Sequence, residues 1–124
     1  MKKIKFNYRY IIGGYDKKLC LQTELRTIEG YLFIYRKYLM AVHKFFWPTG
    51  HCGGWRVTEL STGCGITQLL PTRKAALAQF EEMQTKKFAR QNFDTLLKQR
   101  VNNTIKDYGL ANDIKKLETN KCGK

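Results

Sequence analysis

His43, His51, Cys52 and Cys64 are all of types that could ligate a metal or serve as base and nucleophile, and they lie near one glycine-rich stretch. Structural zinc draws its ligands from closely spaced pairs, and no Cys-x-x-Cys or His-x-x-x-His pair occurs here. A thiol nucleophile, Cys52 or Cys64, would need His43 or His51 within hydrogen-bond reach and a third group to orient that base. No nucleophile-elbow pattern marks either cysteine. Glu81 and Glu82 are adjacent on a helical segment and point apart, while Glu59 stands alone, so no carboxylate pair for acid–base work is evident. Gly50, Gly53 and Gly54 lack the Lys-Ser/Thr that completes a phosphate loop, and Gly63-Cys64-Gly65 lacks the third glycine of a dinucleotide fingerprint. The expectation is a protein without catalytic residues, metal or cofactor.

What remains is charge. Among 124 residues there are 23 Lys and Arg against 10 Asp and Glu, a formal net charge of +13. Self-repulsion at that density opposes compaction unless a polyanion offsets it, so a nucleic acid or a nucleoprotein is the expected partner. Neither a membrane nor a small-molecule substrate is. The excess sits at both ends: residues 1–44 hold ten basic and three acidic side chains, residues 86–124 ten and four, and the middle is neutral. If the ends lie side by side they form one positive surface. The residues expected to contact the partner are Lys3, Lys5, Arg9, Lys17, Lys18, Arg36, Lys37, Lys86, Lys87, Arg100 and Lys106, with Trp47 as a loop aromatic able to stack on a base. Phe46 and Tyr15 share that exposed character. Arg90, Asp94 and Lys98, four apart on a helix, read as ordinary ion pairs, whereas Lys86, Lys87, Arg100 and Lys106 show no evident partner.

The elements that must position these groups follow from periodicity. Ile4, Phe6, Tyr8, Tyr10 and Ile12 alternate with Lys3, Lys5, Asn7 and Arg9, which predicts a strand with one aromatic and one basic face. Gly13-Gly14 and residues 15–18 supply a turn, and residues 19–27 a second strand. Glu29-Gly30 then reads as a turn before a long strand over 31–43, bent near Arg36-Lys37, with a helix over 36–46 as the competitor. A loop over 45–54, a strand over 55–60, a turn at Ser61-Thr62-Gly63 and a return over 66–70 complete the strand region. Thr72 is placed to cap a helix whose stripe includes Ala76, Phe80 and Met83. A second helix carries Phe93, Leu96, Leu97, Val101 and Ile105, stops at Gly109, and leaves a short turn and a frayed tail over 119–124. Strands over 1–70 followed by helices over 72–118 predict one α+β domain, an antiparallel sheet of four or five strands with helices over one face and the basic face left open.

Cys20, Cys52, Cys64 and Cys122 are even in number, but the start MKKIKFNYRY has no apolar signal core, so reduced thiols in a cytoplasm are expected. The segment GWRVTELSTGCGITQLLPTRKAAL, residues 54–77, resembles a strand–turn–strand–helix pattern of small accessory proteins of phages and plasmids, among them inhibitors of host nucleases such as anti-CRISPR proteins. That resemblance implies a non-catalytic accessory protein and carries over no functional residue. Three functions are therefore expected in order: a nucleic-acid binder, an inhibitor docking on the protein and guide RNA of a host nuclease, and a small nuclease or toxin.

Overall fold

A computed structural model of the chain describes residues 1–15, 21–88 and 90–121, with the backbone alone described for Tyr15, Lys87, Phe88 and residues 118–121. The expected turn at 15–18, with Lys17 and Lys18, lies partly outside those residues, as do Cys20, Cys122 and the last of the expected frayed tail. The sheet is antiparallel with its strands in sequence order: β1 (Lys2–Tyr15), β2 (Leu21–Tyr35), β3 (Tyr38–Phe46), β4 (Cys52–Glu59) and β5 (Cys64–Gly65). Helices α1 (Arg73–Thr85), α2 (Phe93–Tyr108) and α3 (Ile114–Lys121) follow, with the short hairpin of β6 (Lys87–Phe88) and β7 (Gln91–Asn92) between the first two. The α+β class and the order of sheet and helices agree with the sequence pattern. Local chemistry sets the boundaries. The Thr72 hydroxyl accepts from the Ala75 amide at 3.0 Å, the Asn92 side chain accepts from Thr95 at 2.9 Å, and Gly109 ends α2 at φ 81°.

Glu29-Gly30 does not turn the chain. The second strand runs straight through it, because β1 pairs it there, Lys5 opposite Glu29 and Ile4 opposite Gly30. Gly30 has a packing role: a Cβ at that position would lie 2.8 Å from the Cβ of His43 and 3.0 Å from the Phe6 ring. The reversal occurs instead at Arg36-Lys37, between the paired Tyr35 and Tyr38, where Arg36 adopts φ 54°. Neither the bend nor the helix expected there forms.

The expectation of one covered and one open face also needs correction, because β3 is buried on both sides. Leu39, Ala41 and Phe45 pack with Ile4, Phe6, Tyr8 and Tyr10 of β1 inside a curled sheet, where Leu117 and Ile114 of α3 join them. Met40 and Val42 face the other way, onto Val57, Phe80 of α1 and Phe93, Leu97 and Val101 of α2. The curl brings the ends of the sheet together. The Arg9 amide donates to the Gly63 carbonyl at 2.8 Å. Beside it the Asn112 side chain imitates a strand: its oxygen accepts from the Asn7 amide (2.8 Å) and its nitrogen donates to the carbonyls of Asn7 (3.0 Å) and Leu60 (2.7 Å). The last β2–β3 pair is Tyr31 with Val42, so the stretch of β2 before it pairs with β1 alone and the two form an arm. Ile11, Ile12 and Leu25 are exposed on that arm.

Candidate nucleic-acid interface

Where β2 and β3 part beyond Tyr31, a cleft of about 480 Å³ opens between them. Its base is Gly30 and His43, and its lining also includes Lys3, Glu29, Tyr31, Lys44, Phe46 and Trp55. Strand alternation aligns this lining: Lys3 is opposite Tyr31 and Lys44 opposite Trp55. Two cations lie against the aromatic faces, Lys44 Nζ 5.8 Å from the Trp55 centroid and the Arg73 guanidinium 4.8 Å from that of Tyr31. Among the described residues neither Lys44 nor Arg73 has a carboxylate within ion-pair distance. Lys3 meets Glu29 at 3.7 Å, both well exposed, a contact worth little in water. Half-buried aromatic rings flanked by uncompensated cations are the combination that holds an unpaired base and its phosphate.

His43 at the base is not part of that positive charge. Burial pushes its pKa down to about 4, and the nearby Arg56 charge adds to this, while the hydrogen bond to the Lys44 carbonyl opposes it. The ring is therefore neutral at pH 7. Its Nδ1 lies 2.9 Å from the Lys44 carbonyl, which fixes the proton there, so Nε2 accepts from the Thr58 hydroxyl at 2.6 Å. Both nitrogens are thus occupied. Among the described residues no group of three His, Cys, Asp or Glu side chains stands close enough to hold a metal ion.

The residues expected from sequence are dispersed. Lys3 lines the cleft. Lys5 is exposed beside Lys116 of α3, and Arg9 is buried, its charge turned into the fold rather than toward solvent. Arg36 is exposed but pairs with Asp94 at 2.9 Å, and Lys37 lies over the Tyr38 ring. Trp47 is 47% exposed, edge-on to Phe45, next to the exposed Phe46. Lys86, expected to be unpartnered, pairs with Glu82 at 2.7 Å. Asp94, expected to bridge Arg90 and Lys98, instead takes Arg36 and the Tyr35 hydroxyl, because the β2–β3 turn reaches the start of α2. Arg100 and Lys106 are exposed on α2. Lys17, Lys18 and the Lys87 side chain lie outside the described residues.

The two basic ends of the chain do meet, since Arg9 stacks over Tyr108 at 5.1 Å and Arg100 lines a cleft with it. Lys44, Arg56 and Arg73 were not singled out from sequence. Lys44 ends the basic start, Arg56 and Arg73 fall in the neutral middle, and only strand register for Lys44 and helix docking for Arg73 show them beside aromatic rings.

Fold and surface define a small basic α+β protein with a curled five-stranded antiparallel sheet. No protein family, no curated protein and no solved structure matches the chain. Residues 54–77 do form strand, turn, strand and helix, namely β4, β5 and the start of α1. Among the described residues no helix is long and apolar enough to cross a membrane.

Proposed function

We propose that this is a non-catalytic nucleic-acid-binding accessory protein that takes a single-stranded segment in the cleft between β2 and β3. The observation carrying this reading is the set of uncompensated cations, Lys44 and Arg73, held against Trp55 and Tyr31 beside Lys3. Bases stack on the rings and phosphates neutralise the cations, so binding is sequence-tolerant. The chain has two tryptophans, so Trp47→Phe leaves Trp55 as the reporter. Its fluorescence is expected to be quenched saturably by a single-stranded oligonucleotide and much less by a duplex, whose bases are already stacked. Equal quenching by both, or none, refutes stacking in this cleft.

A second reading rests on the adjacent exposed Phe46 and Trp47, which have the anchor chemistry of a protein-docking site. In that reading the chain inhibits a host ribonucleoprotein nuclease, such as a guide-RNA enzyme, by touching both protein and RNA. Trp47→Ala then weakens binding to the nucleoprotein and leaves binding to free oligonucleotide unchanged. Equal loss on both refutes it.

A further inference from the structure

A second cleft, of about 310 Å³, lies between the β1–β2 arm, Cys64-Gly65 and α2, and Arg9, Arg56 and Arg100 line it from three different elements. Arg9 is nine-tenths buried. Buried arginines are ordinarily matched by a carboxylate. Among the described residues Arg9 is held only by neutral groups: Nε donates to the Thr62 carbonyl at 2.9 Å, Nη1 to the Thr23 hydroxyl at 3.1 Å and Nη2 to the Gly109 carbonyl at 3.3 Å. Arg56 donates from Nε to the Thr67 carbonyl at 2.9 Å and from Nη1 to the Tyr8 hydroxyl at 2.8 Å. Among the described residues its Nη2 has no hydrogen-bond partner, and since no buried side-chain nitrogen among them lacks one, that amine is not sealed from solvent. None of the three arginines has a carboxylate within ion-pair distance among the described residues.

The positioning of Arg56 is built into the backbone. Its side chain crosses directly over Gly65, where a Cβ would lie 2.4 Å from Arg56 Cδ and 2.9 Å from Nε. A glycine in a strand leaves room for close approach, here of the Arg56 side chain. Thr104 adds a hydroxyl on the α2 wall.

We propose that this cleft binds a phosphate monoester, the terminal phosphate of a nucleic-acid strand or of a free mononucleotide. A guanidinium offers a planar fork matched to two phosphate oxygens. A monoester carries about −1.5 to −2 at pH 7, so it answers three arginines lining one cleft better than a singly charged diester does. The proposal is separate from the single-strand cleft above, because it uses other residues on other elements.

The test titrates inorganic phosphate against the protein at fixed ionic strength, followed by calorimetry and by the unfolding midpoint. It then compares a nucleoside 5′-monophosphate with its nucleoside, and a 5′-phosphorylated oligonucleotide with its 5′-hydroxyl form. Phosphate is expected to bind where chloride does not, with affinity reduced about tenfold or more in Arg100→Gln, since a hydrogen bond to a charged group is lost. Arg100 is exposed, so that variant keeps the fold, and Arg100→Lys is expected to recover part of the loss. Gly65→Ala should displace Arg56 and weaken phosphate to a similar degree. A gain from the phosphate on the oligonucleotide assigns the site to strand ends, and a gain on the mononucleotide alone assigns it to free nucleotides. Phosphate binding no better than chloride, or equal affinity in wild type and Arg100→Gln, overturns the proposal. Binding of the 5′-hydroxyl oligonucleotide reports on the β2–β3 cleft, so the two ideas fail separately.

Discussion

Acid should weaken this fold through one identifiable side chain. His43 is fully buried between Phe6 and Tyr8 on one side and Thr58 on the other, and its pKa falls from 6.5 to about 4. In the unfolded chain the ring protonates near its ordinary value, so between pH 6.5 and about 4 the unfolded state binds more protons than the native state. Stability attributable to the neutral ring is complete above pH 6.5 and is lost as pH falls through that window. The difference, about 2.5 pH units at about 1.36 kcal/mol each, comes to roughly 3 kcal/mol. That is a large share of the roughly 5–15 kcal/mol expected for a domain of this size. The assay is urea unfolding of wild type and His43→Gln between pH 7 and pH 4 at constant ionic strength. Carboxylates titrate in both proteins and cancel in the difference, which should shrink by about 3 kcal/mol toward pH 4 as the wild type alone loses the His43 contribution. Parallel curves would refute the reasoning, as would a His43 ring titrating near pH 6.5 in the folded protein by NMR.

Other expectations concern the fold and the cleft. Gly30→Ala should destabilise by roughly 1–3 kcal/mol in chemical denaturation, because its methyl would meet His43 and Phe6 where β1, β2 and β3 converge. Asn112→Ala should cost roughly 2–4 kcal/mol and speed amide exchange at Asn7, since it removes the side chain that bridges Asn7 to Leu60. Phe80→Ala should cost about 3–5 kcal/mol by thermal or urea unfolding, as its ring touches Phe33, Tyr35 and Phe93 at the joint of sheet and helices. Trp55→Ala should weaken binding of a single-stranded oligonucleotide by about 1–3 kcal/mol in a titration.

The sequence made the class of fold legible because period-2 alternation in residues 3–12 and helical periodicity in residues 93–105 are long and unbroken, and because Thr72 and Gly109 are strong local punctuation. It misled at Glu29-Gly30, where a glycine looks the same whether it turns a chain or makes room for a neighbour. Here Phe6 and His43, distant in sequence, decide the matter. The same limit hid the interface. Lys44 and Arg73 gain meaning from Trp55 and Tyr31, partners fixed by register and helix docking, while Arg9 sits in an alternating strand that reads as solvent-facing until the curl of the sheet buries it against Thr62 and Gly109. Exposure of Trp47 was legible, because a Pro- and Gly-rich loop leaves a large ring little to pack against, whereas the exposed Phe46 ends β3 opposite Cys52, so the loop expected over 45–54 is shorter than its composition suggests.

The claim that Lys44 and Arg73 neutralise phosphates is tested most directly by the salt dependence of single-stranded oligonucleotide binding, measured by fluorescence anisotropy for wild type and for a Lys44→Gln/Arg73→Gln double variant. A steep fall of affinity with salt is predicted for the wild type, and a slope shallower by about 1.4 for the double variant, at about 0.7 per phosphate contact. A wild-type affinity that does not change with salt, or identical slopes for the two proteins, would contradict it.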